Sequence, residues 1–214
     1  MKLQIAVDLA DTKRVLEIAK QVHDIVDIYE VGTPVIMKEG VHAVRALKDA
    51  YPKLCVLADA KIADGGAIEC EDCCGAGADI ITVMAFADDA TIREVVSVAH
   101  AHGRKVLADL LCISDIGKRA EELVAMEVDY VGVHTGVDMQ KRGRTPLSDL
   151  QTLVKVIAPE KAAVAGGVSM QTLEDYKALR PGIIIAGSAL YQAPDIRKAA
   201  LEMKKAINNS NNKF

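Results

Sequence analysis

Leu57-Ala58-Asp59-Ala60-Lys61-Ile62-Ala63-Asp64-Gly65-Gly66 carries an apolar run into three charges and two glycines that turn the chain toward a helix. Successive residues of a strand point to opposite faces, so Asp59 and Lys61, two apart on an extended backbone, share one face and point into the same space. An ammonium between carboxylates stays charged, because the opposite charge offsets the desolvation that would neutralise it. A row of this kind can hold a metal ion and a phosphorylated anion together.

Outward from this stretch, apolar runs recur at Leu3–Val7, Val26–Val31, Leu54–Ala58, Ile80–Ala85, Val106–Leu111, Tyr130–Val133, Ala162–Ala165 and Ile183–Ala186. Amphipathic stretches at helical spacing alternate with them, such as Val15, Leu16, Ala19 and Val22, or Ile92, Val95, Val96 and Ala99. Strict alternation demands parallel strands joined by crossovers, and eight such units in 214 residues predict an α/β (β/α)8 TIM barrel near its minimum size. A doubly wound open sheet is the alternative. No Ser/Gly/Pro-rich linker divides the chain, so residues 1–207 read as one catalytic domain and 208–214, rich in Asn, as a polar tail.

Half of the residues are apolar, enough for one sizeable core. A net charge of −4, two Phe and no Trp offer neither the electrostatic footprint nor the stacking platforms of a nucleic-acid partner. The first strand follows Met1 directly, and no apolar run approaches the eighteen or so residues of a membrane span, so the chain reads as cytoplasmic without a membrane partner. Five cysteines, an odd number, imply no disulfide framework; Cys55 and Cys112 fall in apolar runs that suit buried, reduced thiols. Cys70 and Cys73 have the spacing of a zinc or redox pair, but no second pair follows, and helix packing is the preferred reading.

In such a barrel, chemistry sits at the C-terminal ends of the strands. Five strands deliver ionisable groups there: Asp8, Glu30, Asp59 with Lys61, Asp109, and His134. On strand one, Gln4, Ala6 and Asp8 share the inward face while Leu3, Ile5 and Val7 face the helices. Asp11 and Thr12 are better placed than Asp8 to cap the first helix, which leaves Asp8 for the site, whereas Asp64 fits capping and catalysis equally. Asp109, in an apolar run, needs a partner, and Lys61 is the expected one. His134 is the histidine at a predicted strand end, where an imidazole can take and return a proton near neutral pH; His23, His42, His100 and His102 fall on helices. Gly166-Gly167 and Gly187-Ser188 close the last two strands and read as openings of helices whose amides bind phosphate.

Asp59-x-Lys61-x-x-Asp64 resembles the strand-three signature of the orotidine 5′-phosphate decarboxylase superfamily, and the likeness extends over nearly the whole chain. Leu3-Gln4-Ile5-Ala6-Val7-Asp8-Leu9 and Val26-Asp27-Ile28-Tyr29-Glu30-Val31-Gly32-Thr33-Pro34 are similar to one branch of it, the 3-hexulose-6-phosphate synthases and 3-keto-L-gulonate-6-phosphate decarboxylases. The resemblance implies a Mg²⁺-dependent lyase acting on a sugar phosphate through a metal-stabilised 1,2-enediolate, with Mn²⁺ able to satisfy the same oxygens. Glu30 and Asp59 would ligate the metal, Lys61 would stabilise the enediolate, His134 would be the base, and Asp8 would orient substrate hydroxyls. Asp64 would reach a partner's site across a two-fold interface, which implies a homodimer.

Within that branch, Asp109 rather than Glu at the end of strand five, no Arg three residues after His134, and Ser188 where the decarboxylases carry Arg all favour aldol condensation of formaldehyde with D-ribulose 5-phosphate. The alternatives are decarboxylation of 3-keto-L-gulonate 6-phosphate, isomerisation or epimerisation of a pentulose phosphate, and a sugar-phosphate-binding protein without turnover. The basic loop Lys141-Arg142-Gly143-Arg144 reads as a solvated turn.

Overall fold

In the computed structural model, which describes residues 1–209, the eight predicted strands are all present. They are β1 (Lys2–Val7), β2 (Ile28–Val31), β3 (Cys55–Ile62), β4 (Ile80–Met84), β5 (Lys105–Asp109), β6 (Tyr130–His134), β7 (Ala162–Ala165) and β8 (Ile183–Ala186). All pair in parallel with their sequence neighbours, and β8 pairs with β1, so the sheet closes into a barrel rather than an open doubly wound sheet. Single helices fill most crossovers: α1 (Thr12–Val22), α4 (Gly66–Gly75), α5 (Asp89–Ala101), α6 (Ile116–Ala125) and α9 (Leu173–Lys177). Three units carry two: α2 (Thr33–Glu39) with α3 (His42–Ala50), α7 (Val137–Gln140) with α8 (Leu147–Val156), and α10 (Ser188–Tyr191) with α11 (Ile196–Asn208).

The period-two alternation of the strands separates two apolar layers. Leu3, Ile5 and Val7 point outward and pack with helix residues such as Val15, Ala19 and Val22 of α1 and Val44 and Leu47 of α3, all fully buried. Each such side chain contributes about 1.5–3 kcal/mol by leaving water. The inner layer is smaller, with Ala6, Ile28, Leu57, Ile80, Leu107 and Ile183 among its members. Ala6 is the inward neighbour just below Asp8, as the alternation in strand one requires. The Asp11 side chain accepts a hydrogen bond from the Arg14 amide and caps α1, so Asp8 has no capping role to fill.

Several local expectations are corrected. Strand three is not extended to its end: Lys61 has φ +50, and the β3–β4 register shifts between Ala58 and Ile62. Asp64 does not cap α4; Gly65 is the N-cap, and the Asp64 carboxylate accepts from the Gly65 amide. Gly166-Gly167 opens no helix, since α9 begins only at Leu173. Cys112 lies beyond β5, is exposed and has φ +67, so it is not a buried strand thiol. Cys70, Cys73 and Cys74 are buried in α4, and burial pushes all three thiols up, as inert packing residues. Asn208 ends α11 instead of starting the tail; residues 210–214 lie outside the described residues. No described helix is long and apolar enough to cross a membrane.

At Gly66 the first turn of α4 crosses α5 so closely that an added Cβ would stand 2.5 Å from the Thr91 carbonyl oxygen. Backbone cannot yield as a flexible side chain would. Gly66→Ala, which elsewhere in a helix would raise stability by about 0.5–1 kcal/mol, is therefore expected to lower it by about 1–3 kcal/mol. Urea denaturation checks the sign.

Candidate active site

The strand ends open into a cavity of about 620 Å³ at the C-terminal mouth of the barrel. Of the eleven residues singled out from the sequence, ten line it: Asp8, Glu30, Asp59, Lys61, Asp109, His134, Gly166, Gly167, Gly187 and Ser188. Asp64 is the exception, exposed and outside the lining. A larger, open depression of about 1500 Å³ lies at the opposite face around Lys2, Lys105 and Tyr130, and contains none of these groups.

The centre is a chain of charge. Lys61 Nζ lies 2.9 and 2.7 Å from the two Asp59 carboxylate oxygens and 3.3 Å from Asp109 Oδ2. The left-handed turn at Lys61 is held by its amide, which donates to Thr82 Oγ1 at 2.9 Å, and it lets the side chain fold back onto a residue only two positions earlier. Thr82 in turn donates to Asp59 Oδ1 at 2.9 Å, and Thr33 donates to Asp59 Oδ2 at 2.8 Å. The Thr33 hydroxyl also stands 2.7 Å from the Asp59 carbonyl oxygen and has one proton for the two, so Oδ2 keeps acceptor capacity for a further ligand. Burial alone would pull the Lys61 ammonium down, but the charges of Asp59 and Asp109 outweigh it and hold it above the ordinary lysine value.

Asp109 was expected to pair with Lys61, and it has a nearer partner as well. His134 Nδ1 stands 2.9 Å from Asp109 Oδ2, and the Leu111 amide donates to Oδ1 at 2.8 Å. Burial would raise the Asp109 carboxyl, but His134 and Lys61 outweigh it and hold it below the usual range. Register explains the contact: Asp109 pairs across the ladder with Gly132, and His134 is the next inward-facing residue of β6. With Nδ1–H donated to the carboxylate, Nε2 carries the imidazole lone pair.

Glu30 is not a rim residue, as the sequence suggested, but lies deeper, 8% exposed and hydrogen-bonded by Gln4 Nε2. Burial first, and repulsion from Asp59 second, push its carboxyl well above the usual range; the same two causes raise Asp8. Four carboxylates, Asp8, Glu30, Asp59 and Asp109, thus crowd one cavity with Lys61 as their shared cation, and an all-oxygen set of this kind suits a hard divalent ion. Among the described residues no three His, Cys, Asp or Glu groups converge tightly enough to cage a metal. The residues therefore fit an ion held by one or two carboxylates, Glu30 and Asp59, that takes its other ligands from water and substrate.

On the far wall Gly166 and Gly167 have φ +107 and +70, and an added Cβ at Gly166 would meet the Thr135 carbonyl at 2.5 Å. They line the cavity together with Gly187 and Ser188. Since α10 has only one turn and α9 begins further on, an anion here would be held by amides rather than by a helix dipole. Gln4, placed inward by alternation but without a role, and Thr33 and Thr82 join the site in the structure. Gln4 and Thr82 had a signal, a polar residue at an inward strand position, whereas Thr33 opens a helix and had none. His23, His42, His100 and His102 are exposed, and the loop at Lys141–Arg144 is solvated, with Lys141 paired to Asp138 and Arg144 to Asp149.

The chain is 41% identical over 207 residues to a 3-hexulose-6-phosphate synthase of Bacillus subtilis, covering 97% of this chain and 99% of that protein. A crystal structure of 3-hexulose-6-phosphate synthase from Salmonella typhimurium superposes with a TM-score of 0.94 at 42% identity, covering 97% and 98% of the two chains. A 3-keto-L-gulonate-6-phosphate decarboxylase from Vibrio cholerae O1 is more distant, with a TM-score of 0.83 and 28% identity over 96% of each chain. Residues 1–203 match the model of one family, and the chain belongs to it: the orotidine 5′-phosphate decarboxylase / HUMPS family.

Proposed function

We propose that the protein is an aldolase of the lyase class that condenses formaldehyde with D-ribulose 5-phosphate to give D-arabino-hex-3-ulose 6-phosphate. The observation that carries this reading is the His134–Asp109 pair in a chain about 41% identical to proteins named for that activity. Asp109 fixes the imidazole with Nε2 facing the cavity, the form needed to take the C1 proton of the pentulose. The carbanion formed at C1 then attacks the formaldehyde carbon, and the new alkoxide takes a proton, for which the imidazolium is the nearest donor. Lys61, held charged, offers a fixed cation to the oxygens on which negative charge develops. A divalent cation held by Glu30 and Asp59, Mg²⁺ or Mn²⁺, supplies Lewis acidity for that same charge. Asp8 faces the substrate hydroxyls, and the amides at Gly166, Gly167, Gly187 and Ser188 receive the phosphate.

A homodimer completes this reading. The segments after β2, β3 and β4 present Met37, Ile68 and Phe86 at 84%, 73% and 55% exposure, and Asp64, after β3, is exposed as well. Exposed large apolar side chains on consecutive units suit a partner surface, and two-fold pairing would bring each Asp64 toward the other subunit's cavity. A cytoplasmic location suits a metabolic enzyme of this kind.

Formaldehyde consumption by the purified protein with D-ribulose 5-phosphate and Mg²⁺ is expected to be fast, to stop with EDTA, and to fall by about 10²–10⁴-fold in His134→Ala. No consumption, with CO2 released instead from 3-keto-L-gulonate 6-phosphate, would replace the aldolase reading with the decarboxylase one. Asp109→Asn tests the tautomer: an amide that donates to Nδ1 moves the proton to Nε2 and removes the base. Its turnover should drop by about 10²–10⁴-fold while its far-UV circular dichroism matches the parent.

A further inference from the structure

Gln4 is the one amide in the inner layer of the barrel floor, where its neighbours across the ladders are Ile28 and Ile185. It is 1% exposed, so its polar atoms are cut off from bulk water. Nε2 donates to Glu30 Oε2, but Oε1 is buried without a hydrogen-bond partner among the described residues, and the side chain lines the catalytic cavity. Burying a polar atom unpaired is unfavourable, and a Leu or Met of similar volume would fill this apolar layer without that penalty. An amide kept here needs a ligand for its carbonyl.

We infer that Gln4 is the positioning residue of the metal site: it fixes the Glu30 carboxylate through Nε2, and Oε1 accepts a hydrogen bond from water retained on the bound divalent ion. The inference rests on the assignment of Glu30 and Asp59 as metal ligands. Three chemical facts favour it. A carboxylate bound by a donor on one oxygen keeps the other oxygen oriented for a cation. Mg²⁺ and Mn²⁺ keep several waters when only one or two carboxylates hold them, so a donor for Oε1 arrives with the ion. Partners behind a ligand orient it, and their loss typically weakens metal binding by about 10–100-fold.

The test is Mn²⁺ binding by the substrate-free protein, read from the free-ion electron paramagnetic resonance signal, for the parent, Gln4→Met, Gln4→Asn, Glu30→Gln and the Gln4→Met/Glu30→Gln double variant. Gln4→Met should weaken binding about 10-fold or more; the change removes the unpaired Oε1 but also the donor to Glu30 Oε2, so folding is checked separately by circular dichroism. In the Glu30→Gln background the same change should have little further effect, because the carboxylate it positions is absent. Parent-like Mn²⁺ affinity in a folded Gln4→Met would overturn the inference, as would an equal loss in both backgrounds. Should Gln4→Met not fold, Gln4→Asn decides: its shorter amide cannot reach Glu30, so undiminished affinity there refutes the role. If Glu30→Gln itself binds Mn²⁺ like the parent, the metal assignment has failed first and the Gln4 role falls with it.

Discussion

The Asp59 carboxylate is where the fold and the chemistry meet. Removing such a group from water is strongly unfavourable unless it is paired, and here Lys61, Thr82 and Thr33 surround it. Those partners come from the helix after β2, from β3 itself and from β4, so one buried charge ties together three adjacent units of the barrel. Lys61 passes the constraint to Asp109, and Asp109 passes it to His134. The His134 imidazole is thus oriented by a line of contacts that begins at Asp59. Replacing one member leaves its neighbours charged and unpaired, so effects within this set will not add.

Stability and reactivity occupy different shells of the molecule. The layer between strands and helices is apolar and tightly filled, and it would hold the barrel closed whatever the loops contained. The inner layer is thin and graded: isoleucines form the floor, with Gln4 level with Ile28 and Ile185, and Glu30, Thr82 and the charged row follow toward the mouth. That gradient sets the local dielectric. Glu30 lies deepest and its carboxyl is raised furthest by burial, while Asp109, buried as deeply in area, is lowered by the cations beside it.

Much of this was legible in the sequence, because a barrel repeats one signal eight times. Period-two alternation in Leu3–Val7 placed Asp8 inward, and the structure places it there because Leu3, Ile5 and Val7 have helices to pack against. What periodicity could not convey is local backbone geometry. Lys61 meets Asp59 through a left-handed residue and a register shift, not by the straight alternation that predicted the meeting. Gly166-Gly167 has the composition of a helix opening, yet both residues take positive φ and lead into a turn; Gly166 also approaches the Thr135 backbone too closely for a Cβ, while Gly167 owes its lack of a side chain to its φ. Cys112 looked like strand interior because an apolar run continues past Asp109, but the strand ends where the Asp109 side chain takes the Leu111 amide for itself.

The left-handed conformation of Lys61 has an evolutionary side. A non-glycine residue at φ +50 stores backbone strain of order 1 kcal/mol that glycine or asparagine would relieve. Relief of that strain would leave the buried Asp59 and Asp109 carboxylates without their shared cation, a larger penalty, so the ion pairs and not the backbone decide what this position tolerates. A population selected for heat tolerance would therefore keep the lysine and accumulate its stabilising changes in the outer helices.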